Sequence, residues 1–395
     1  MAVLESVVTY SDMLDYITAL TDGGARTKDL RMHKEAILGA YKDVAMNNEW
    51  AYYMTEGRIN LSSSYNTGTV VYDHTGGSSE RILTLSGGTW PSWIQYGRVK
   101  IGDSTYPVDT KVSGTVVTLR EDNNPGADVA SSSYTSYRSA YALPSDMWRL
   151  YDVAVEKSNW LTYYVSPTEW QQRESYMSSG GQTWAWTIMK DPDNYGRWSL
   201  FVDPYPTTDE PLIFIYRRKP RDLRWSGTEA AARASSSQDI SATAGASTIT
   251  TDSALPQSMV GSIIRLSETA THPTGLAGNN PYFEQHKITK IASTTVTIQD
   301  PITNTVNYSN DYFIVSDPID MSDNMIEALK TEIEYRLARF SNDTRDVVTA
   351  RKIADYQLRR ALEAESRINT RGGASMRSRY SYLFTNLDGA ITTSS

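Results

Sequence analysis

The chain has no cysteine among its 395 residues, which excludes disulfide bonds, thiol chemistry and zinc sites built from cysteine. Neither GxGxxG nor the phosphate-binding pattern GxxxxGK followed by Ser or Thr occurs. Histidine is scarce, and its four residues lack the spacing of metal ligands: His33, His74, His272 and His286. We therefore expect no metal, no cofactor and no enzymatic activity.

Two kinds of apolar segment are also missing. The first residues show no basic stretch followed by an apolar core, so we expect no secretion signal. No apolar run is long enough to span a bilayer, so we expect no membrane contact. Together with the lack of cysteine, these absences predict synthesis in a reducing cytosol.

Basic residues are in deficit, with 38 Lys and Arg against 46 Asp and Glu, for a net charge of −8. This balance argues against wrapping by nucleic acid, but it is compatible with a passage through which DNA slides. Phenylalanine is also rare, with 6 residues against 26 tyrosines and 10 tryptophans. Such amphipathic aromatics are typical of interfaces, and they are equally typical of β-strands.

Helical periodicity occurs near both ends of the chain. Thr9 and Asp12 have capping-box spacing, and Gly23-Gly24 is expected to end the first helix. Each end is predicted to supply two helices, and the two pairs are expected to bury their apolar stripes against each other. The predicted fold class is therefore α+β: a helical bundle built from both chain ends, with a central β-rich domain and two inserted, mutually similar small β-modules.

The two β-modules are predicted from an internal repeat. The string KVSGTVVTL at 111–119 aligns without gaps to KIASTTVTI at 290–298, and VKI at 99–101 aligns to IRL at 264–266. Short alternating strands and Gly/Ser/Asn turns follow in the same order in both segments. The predicted domains are N-terminal helices (1–57), β-module 1 (58–140), a central β-rich domain (141–228), β-module 2 (229–318), C-terminal helices (319–370) and an extended C-terminal arm (371–395).

The last predicted helix carries an apolar set, Val347, Val348, Ile353, Leu358 and Leu362, and a densely charged face. A face of alternating charge is commonly a solvated surface with pairs at i,i+4 spacing. The other interpretation is a subunit interface or a channel wall, for which the candidate residues are Arg351, Arg359 and Arg360.

Three strings resemble the head-to-tail adaptor proteins of tailed bacteriophages. They are ALPSDMWRLYDV at 142–153, WSLFVDPYP at 198–206 and LIFIYRRKPRDL at 212–223. In that family a strand followed by Pro-x-Pro precedes a strand followed by Tyr-x-x-x-Pro-x-x-Leu, and helices flank a β-insertion. The resemblance covers most of 9–225 and 319–370, and the two β-modules look like additions to a minimal adaptor.

The resemblance implies a structural protein of the virion neck, at the head-to-tail junction, made in the host cytoplasm. Similar adaptors form a ring, generally twelve-fold, between the portal and the tail or nozzle. The expected partners are thus further copies of the chain, a portal protein and a tail or nozzle protein, with transient passage of double-stranded DNA.

The resemblance also implies that the C-terminal arm reaches into the portal. The candidate docking residues include three aromatics whose alternation would place them on one face of an extended strand: Arg377, Arg379, Tyr380, Tyr382 and Phe384. The opposing interpretation is an ordinary frayed tail. For the whole chain, the alternative function is a carbohydrate-binding β-rich virion or surface protein with Trp and Tyr stacking platforms on the β-modules.

Overall fold

A computed structural model describes the chain over residues 7–21, 27–74, 80–138, 140–155, 162–174, 180–190, 197–233, 240–267, 284–303, 308–340 and 344–372. The chain divides into two compact units. Unit 1 comprises Met1–Tyr52 and Pro220–Ser395, and unit 2 comprises Tyr53–Lys219.

Five α-helices lie in the described residues, and four of them belong to unit 1. They are α1 (Tyr10–Leu20), α2 (Thr27–Met46), α3 (Pro167–Glu174, in unit 2), α4 (Asp323–Phe340) and α5 (Thr344–Gly372). The predicted capping box is present at the start of α1, where Asp12 Oδ2 accepts a hydrogen bond from Thr9 N at 2.8 Å. α5 is described as far as Gly372, the first residue of the predicted Gly-Gly stop, and residue 373 lies outside the described residues.

Unit 2 is built from sixteen strands. They are β1 (Met54–Leu61), β2 (Thr69–Asp73), β3 (Ile82–Ser86), β4 (Gly97–Ile101), β5 (Ser104–Lys111), β6 (Val116–Leu119), β7 (Val129–Ser132), β8 (Tyr134–Arg138), β9 (Tyr141–Ala142), β10 (Met147–Val155), β11 (Tyr163–Tyr164), β12 (Gly180–Gly181), β13 (Ala185–Lys190), β14 (Trp198–Asp203), β15 (Tyr205–Pro206) and β16 (Glu210–Arg218).

These strands form a seven-stranded sheet, a sandwich of a three-stranded and a four-stranded sheet, and the two-stranded sheet β12-β15. The seven-stranded sheet has the order β7-β2-β3-β6-β5-β4-β8, and its two outermost strands are consecutive in the chain. In the sandwich, the sheet β1-β16-β10 and the sheet β11-β13-β14-β9 share one hydrophobic cluster. That cluster joins Leu212 and Phe214 of β16 to Leu200 and Val202 of β14, so burial on the facing sides holds the two sheets together.

Unit 1 contains a closed six-stranded barrel. Its strands are β17 (Ile240–Ala242), β18 (Thr248–Thr251), β19 (Ile263–Ser267), β20 (Glu284–Ala292), β21 (Thr295–Ile298) and β22 (Tyr308–Ser316), in the order β17-β18-β21-β20-β19-β22. Aliphatic side chains such as Ile264, Leu266 and Ile288 fill its interior. Because the barrel closes on itself, it leaves no unpaired sheet edge.

The barrel and the seven-stranded sheet share one topology. The order β2-β3-β6-β5-β4 corresponds strand for strand to β17-β18-β21-β20-β19. In the barrel, β22 bonds to both β17 and β19, whereas β7 and β8 divide these two contacts in the seven-stranded sheet. The two aligned nine-residue strings are similar and lie on the equivalent hairpins β5–β6 and β20–β21. The registers differ by one residue in the first strand of each hairpin, since Lys111 pairs with Val117 and Ile291 pairs with Val296.

The predicted fold class is wrong. Twenty-two strands against five α-helices in the described residues make the chain mainly β, and the helices of the two ends do not form a bundle. Instead, α1 packs on α2, α2 on α4 and α4 on α5 in succession. The physical reason is that α1 buries polar residues as well as its stripe: Ser11 N donates to Ser316 Oγ of β22 at 2.9 Å, so α1 is committed to the barrel.

A buried ion pair holds α1 against the barrel. Arg265 of β19 is 0% exposed, and its Nη1 and Nη2 donate to Asp12 Oδ1 and Oδ2 at 2.6 and 2.5 Å. Arg265 Nη2 also donates to the carbonyl of Val7 at 3.2 Å. This bidentate contact gives each carboxylate oxygen a hydrogen-bond donor. A buried charge requires such partners, because water cannot supply them.

Replacing Arg265 by Met is expected to lower the free energy of unfolding by about 3–5 kcal/mol, because Asp12 would remain buried without its cation. Urea unfolding of the full chain, followed by circular dichroism, measures the change. The matched control is Glu35→Ala, which removes the exposed Arg31–Glu35 pair at 3.1 Å and should change stability by less than about 0.5 kcal/mol. Equal effects of the two substitutions would contradict a dominant role for the buried pair.

Asp15 lies close to this pair, and nearby cations offset only part of the cost of burying its carboxylate. Its Oδ2 is buried with no hydrogen-bond partner in the structure. Burial raises the pKa of Asp15 from its ordinary value of 3.8 to about 6; the Asp12 carboxylate adds to the rise, and Arg265 and Arg233 oppose it. A folded-state pKa above the unfolded value means that the carboxyl favours folding when it is protonated. This contribution is full below pH 3.8 and is lost as the pH rises through about 6.

The substitution Asp15→Asn is therefore expected to stabilise unit 1 at pH 8 by roughly 1–3 kcal/mol, with the gain vanishing toward pH 4. Thermal unfolding at a series of pH values measures it. The exposed Asp103→Asn serves as the control with no such trend. A gain from Asp15→Asn that is equal at pH 4 and pH 8 would show that ionisation is not its cause.

Candidate interaction surface

The three strings that carry the family resemblance meet in the sandwich of unit 2. Leu143 N, in the first string, donates to the carbonyl of Trp198, in the second, at 3.0 Å. Asp146, also in the first string, accepts from Tyr216 Oη at 3.3 Å and from Lys219 N at 2.6 Å, both in the third. Burial and the Asp146 charge raise the pKa of Tyr216, which keeps its hydroxyl protonated as a donor. Three separate stretches of sequence thus form one connected element.

The side of α5 that packs on α4 contains small residues and one buried carboxylate. Ala354 and Ala361 of α5 are 3% and 4% exposed, and Ser322 Oγ, just before α4, donates to Glu365 Oε1 at 2.7 Å. The helical backbone of α5 runs seven residues beyond Glu365, or about 10 Å at 1.5 Å per residue. α5 is therefore longer than the helix that supports it.

The opposite side of α5 is exposed. We call this surface the outer face of α5, and its residues follow one another at helical spacing: Val348, Lys352, Ile353, Tyr356, Arg359, Arg360 and Glu363. Val348 is 55% exposed, Ile353 is 45% and Tyr356 is 64%. The predicted apolar set of this helix is thus divided, because two of its members, Val348 and Ile353, lie on the exposed side. A face with three large apolar side chains among cations is suited to protein contact.

The three predicted interface arginines differ in their surroundings. Arg351 lies 3.0 Å from Asp355 and 3.6 Å from Glu332, and its guanidinium is 5.0 Å from the Tyr335 ring centroid, so it links α5 to α4 within one chain. Arg359 and Arg360 are exposed, and they form no ion pair with any residue that the structure describes. Their role at an interface stays a prediction. The five predicted docking residues of the arm, 377, 379, 380, 382 and 384, lie outside the described residues.

A polar pair inside the barrel has no signal in the sequence. Glu284 and His286 alternate along β20, and their register places them beside Leu266 and Ile264, which face the interior. His286 Nε2 lies 2.8 Å from Glu284 Oε2, and Thr303 Oγ1 donates to Glu284 Oε1 at 3.0 Å. The pair cross-links β20 to the segment that follows β21. Over the described ranges, no group of three or more His, Asp or Glu side chains is arranged to hold a metal ion.

Exposed aromatic rings in unit 2 concentrate outside the seven-stranded sheet. Tyr163 and Tyr164 of β11 are 61% and 55% exposed, and Trp184, whose carbonyl accepts from Tyr163 N at 2.7 Å, is 39% exposed. Within the seven-stranded sheet, by contrast, Tyr72 and Trp90 are almost fully buried. The aromatic surplus therefore serves both cores and surfaces.

Among the helices of the described residues, none is both long and apolar enough to cross a membrane. Comparisons of the chain with protein-family models, with curated proteins and with solved structures gave no match.

Proposed function

We propose that this chain is a head-to-tail adaptor of a tailed bacteriophage, a structural protein that forms a ring between the portal and the tail. The observation that carries the proposal is the convergence of the three family-like strings through Leu143 and Asp146. Short motifs that match by chance have no reason to hydrogen-bond to one another in the fold. Their joint placement in one sandwich supports reading them as parts of a single inherited element.

The outer face of α5 supports assembly into a ring. A closed ring of identical subunits needs two different, complementary surfaces on each copy, because every contact is head-to-tail. Val348, Ile353 and Tyr356 supply apolar area for one such surface, and Arg359 and Arg360 supply charge for specificity. The copy number, twelve in similar proteins, is part of the proposal.

Passage of DNA sets a condition on the ring. Double-stranded DNA has to move through it without being held, so its inner wall is neutral or acidic, with at most isolated basic rings. The net charge of −8 is compatible with this condition. Tight, salt-sensitive DNA binding by the assembled ring would contradict the proposal.

The arm at 371–395 is proposed to dock on the portal. In the sequence it follows α5, whose backbone continues seven residues past Glu365, the residue that accepts from Ser322 at the start of α4. Alternating aromatics suit the addition of a strand to an exposed sheet edge, where backbone hydrogen bonds give affinity and side-chain pockets give specificity.

Truncation after Gly373 is expected to leave the chain folded and soluble while abolishing its incorporation beneath the portal, because the docking strand is removed. Electron microscopy of the chain mixed with its portal measures ring occupancy, and circular dichroism checks the fold. The matched control replaces 374–395 by a Gly/Ser segment of equal length. Normal occupancy of the truncated chain would place the portal contact elsewhere.

The carbohydrate-binding alternative is favoured by one observation, the exposed rings of Tyr163, Tyr164 and Trp184 at the edge of the sandwich. Aromatic faces stack on sugar rings. Tyr163 and Tyr164 are consecutive, and Trp184 precedes Ala185, the residue that pairs with Tyr163. A glycan array with the wild-type chain and a Tyr163→Ala, Tyr164→Ala variant separates the two functions. Glycan binding lost in the variant, together with no ring on the portal, would favour this alternative.

A further inference from the structure

Charge is distributed unevenly along the chain. Residues 344–395 hold nine basic and five acidic residues, and residues 1–343 hold the other 29 basic and 41 acidic ones. The last helix and the arm are therefore the basic end of an acidic protein. Such an asymmetry indicates a partner of opposite charge for one of the two parts.

The basic part is accessible on the outer face of α5. Lys352, Arg359 and Arg360 stand on that face against one acidic residue, Glu363. They alternate with Val348, Ile353 and Tyr356, which are each about half exposed or more. This mixture favours a protein surface over nucleic acid, because a phosphate backbone pairs with the cations but gives the apolar side chains nothing to bury against.

A cluster of exposed acidic residues lies at one end of the seven-stranded sheet. β2 ends there at Asp73, β3 begins beside it at Ile82, β6 ends at Leu119 and β7 begins at Val129. Five acidic residues occupy this end: Asp73, Glu80, Glu121, Asp122 and Asp128. All five are exposed, and two basic residues, Arg81 and Arg120, lie among them. We call this surface the acidic end.

We propose that the outer face of α5 binds the acidic end of the seven-stranded sheet in a second copy of this chain. The contact joins two different surfaces, so it repeats from copy to copy and supplies the head-to-tail interface that a ring needs. The place of this contact in a ring rests on the proposed function, but the contact itself does not. In this contact the cations of the outer face of α5 meet the carboxylates of the acidic end.

The test uses two charge-reversed variants of the full chain. One is Arg359→Glu with Arg360→Glu, and the other is Glu121→Arg with Asp122→Arg. Sedimentation equilibrium of the wild type at low salt should show self-association that weakens by roughly tenfold or more at high salt, because the contact is electrostatic and exposed to ions. Each variant alone should associate at least tenfold more weakly than the wild type.

An equimolar mixture of the two variants should recover the association. The reversed α5 face then meets the reversed acidic end, and the two unchanged surfaces meet each other. The matched control is Arg31→Glu with Lys42→Glu, on the exposed side of α2. It makes the same change of net charge as the α5 variant and should leave association unchanged. Circular dichroism confirms that each variant is folded.

Three outcomes would overturn the inference: a wild type that stays monomeric at low salt, a mixture that fails to recover association, or a control that weakens association as strongly as the α5 variant. Binding of a DNA duplex that is lost only in the α5 variant would also overturn it, by making nucleic acid the occupant of the face. Recovery in the mixture without docking on the portal would keep the inference and reject the adaptor function.

Discussion

The pairing of Arg265 with Asp12 constrains the rest of unit 1. All five residues of β19 are buried, although only alternate ones, Ile264 and Leu266, face the interior of the barrel. The outer side of β19 therefore has to be shielded from solvent by another element. The guanidinium of Arg265, at the centre of the strand, also needs a carboxylate partner because it is buried. α1 supplies both, since its first turn carries Asp12 and its stripe brings Met13 and Ile17 to full burial.

This constraint also ties the start of the described chain to the entry of the C-terminal helices. Tyr10 N donates to the carbonyl of Asp317 at 2.9 Å, and Ile319 N donates to the carbonyl of Val8 at 2.9 Å. Asp317 is itself 0% exposed and accepts from Arg221 Nη2 at 2.8 Å and from Ser262 Oγ at 2.5 Å. Buried polar contacts of this density fix one arrangement, because displacing any partner leaves the others desolvated and unpaired.

The local signals in the sequence predicted local structure well. The capping box at Thr9 depends on neighbouring residues alone, so the pattern sufficed. The fold class depended on where α1 packs, and helical periodicity cannot show that Ser11 and Asp12 are buried with the apolar stripe. An Arg within the apolar strand IIRLS looks like an exposed position, and only the partner 253 residues away makes burial possible.

The same limit applies to the candidate surface. Sequence reasoning grouped Val348 and Ile353 with the buried residues of α5 because both are large and apolar. In the structure Ala354 and Ala361 are buried, while Val348 and Ile353 are exposed. Val347, Leu358 and Leu362 are partly buried, so the predicted set is divided between two sides of the helix. Apolar character alone does not tell which side of a helix is buried, because that depends on the direction of each residue around the helix axis.

The shared topology of the two β-structures allows Arg265 to be compared with its counterpart in the seven-stranded sheet. Lys100 of β4 occupies the position that Arg265 holds in β19, because Val99 and Ile101 correspond to Ile264 and Leu266 in the pairing with the next strand. Lys100 is half-buried, whereas Arg265 is fully buried. A guanidinium can satisfy a carboxylate with two parallel bonds away from water, and an ammonium on a flexible stem cannot. The arginine binds α1 to the barrel through Asp12, whereas Lys100 at the equivalent position is half-buried.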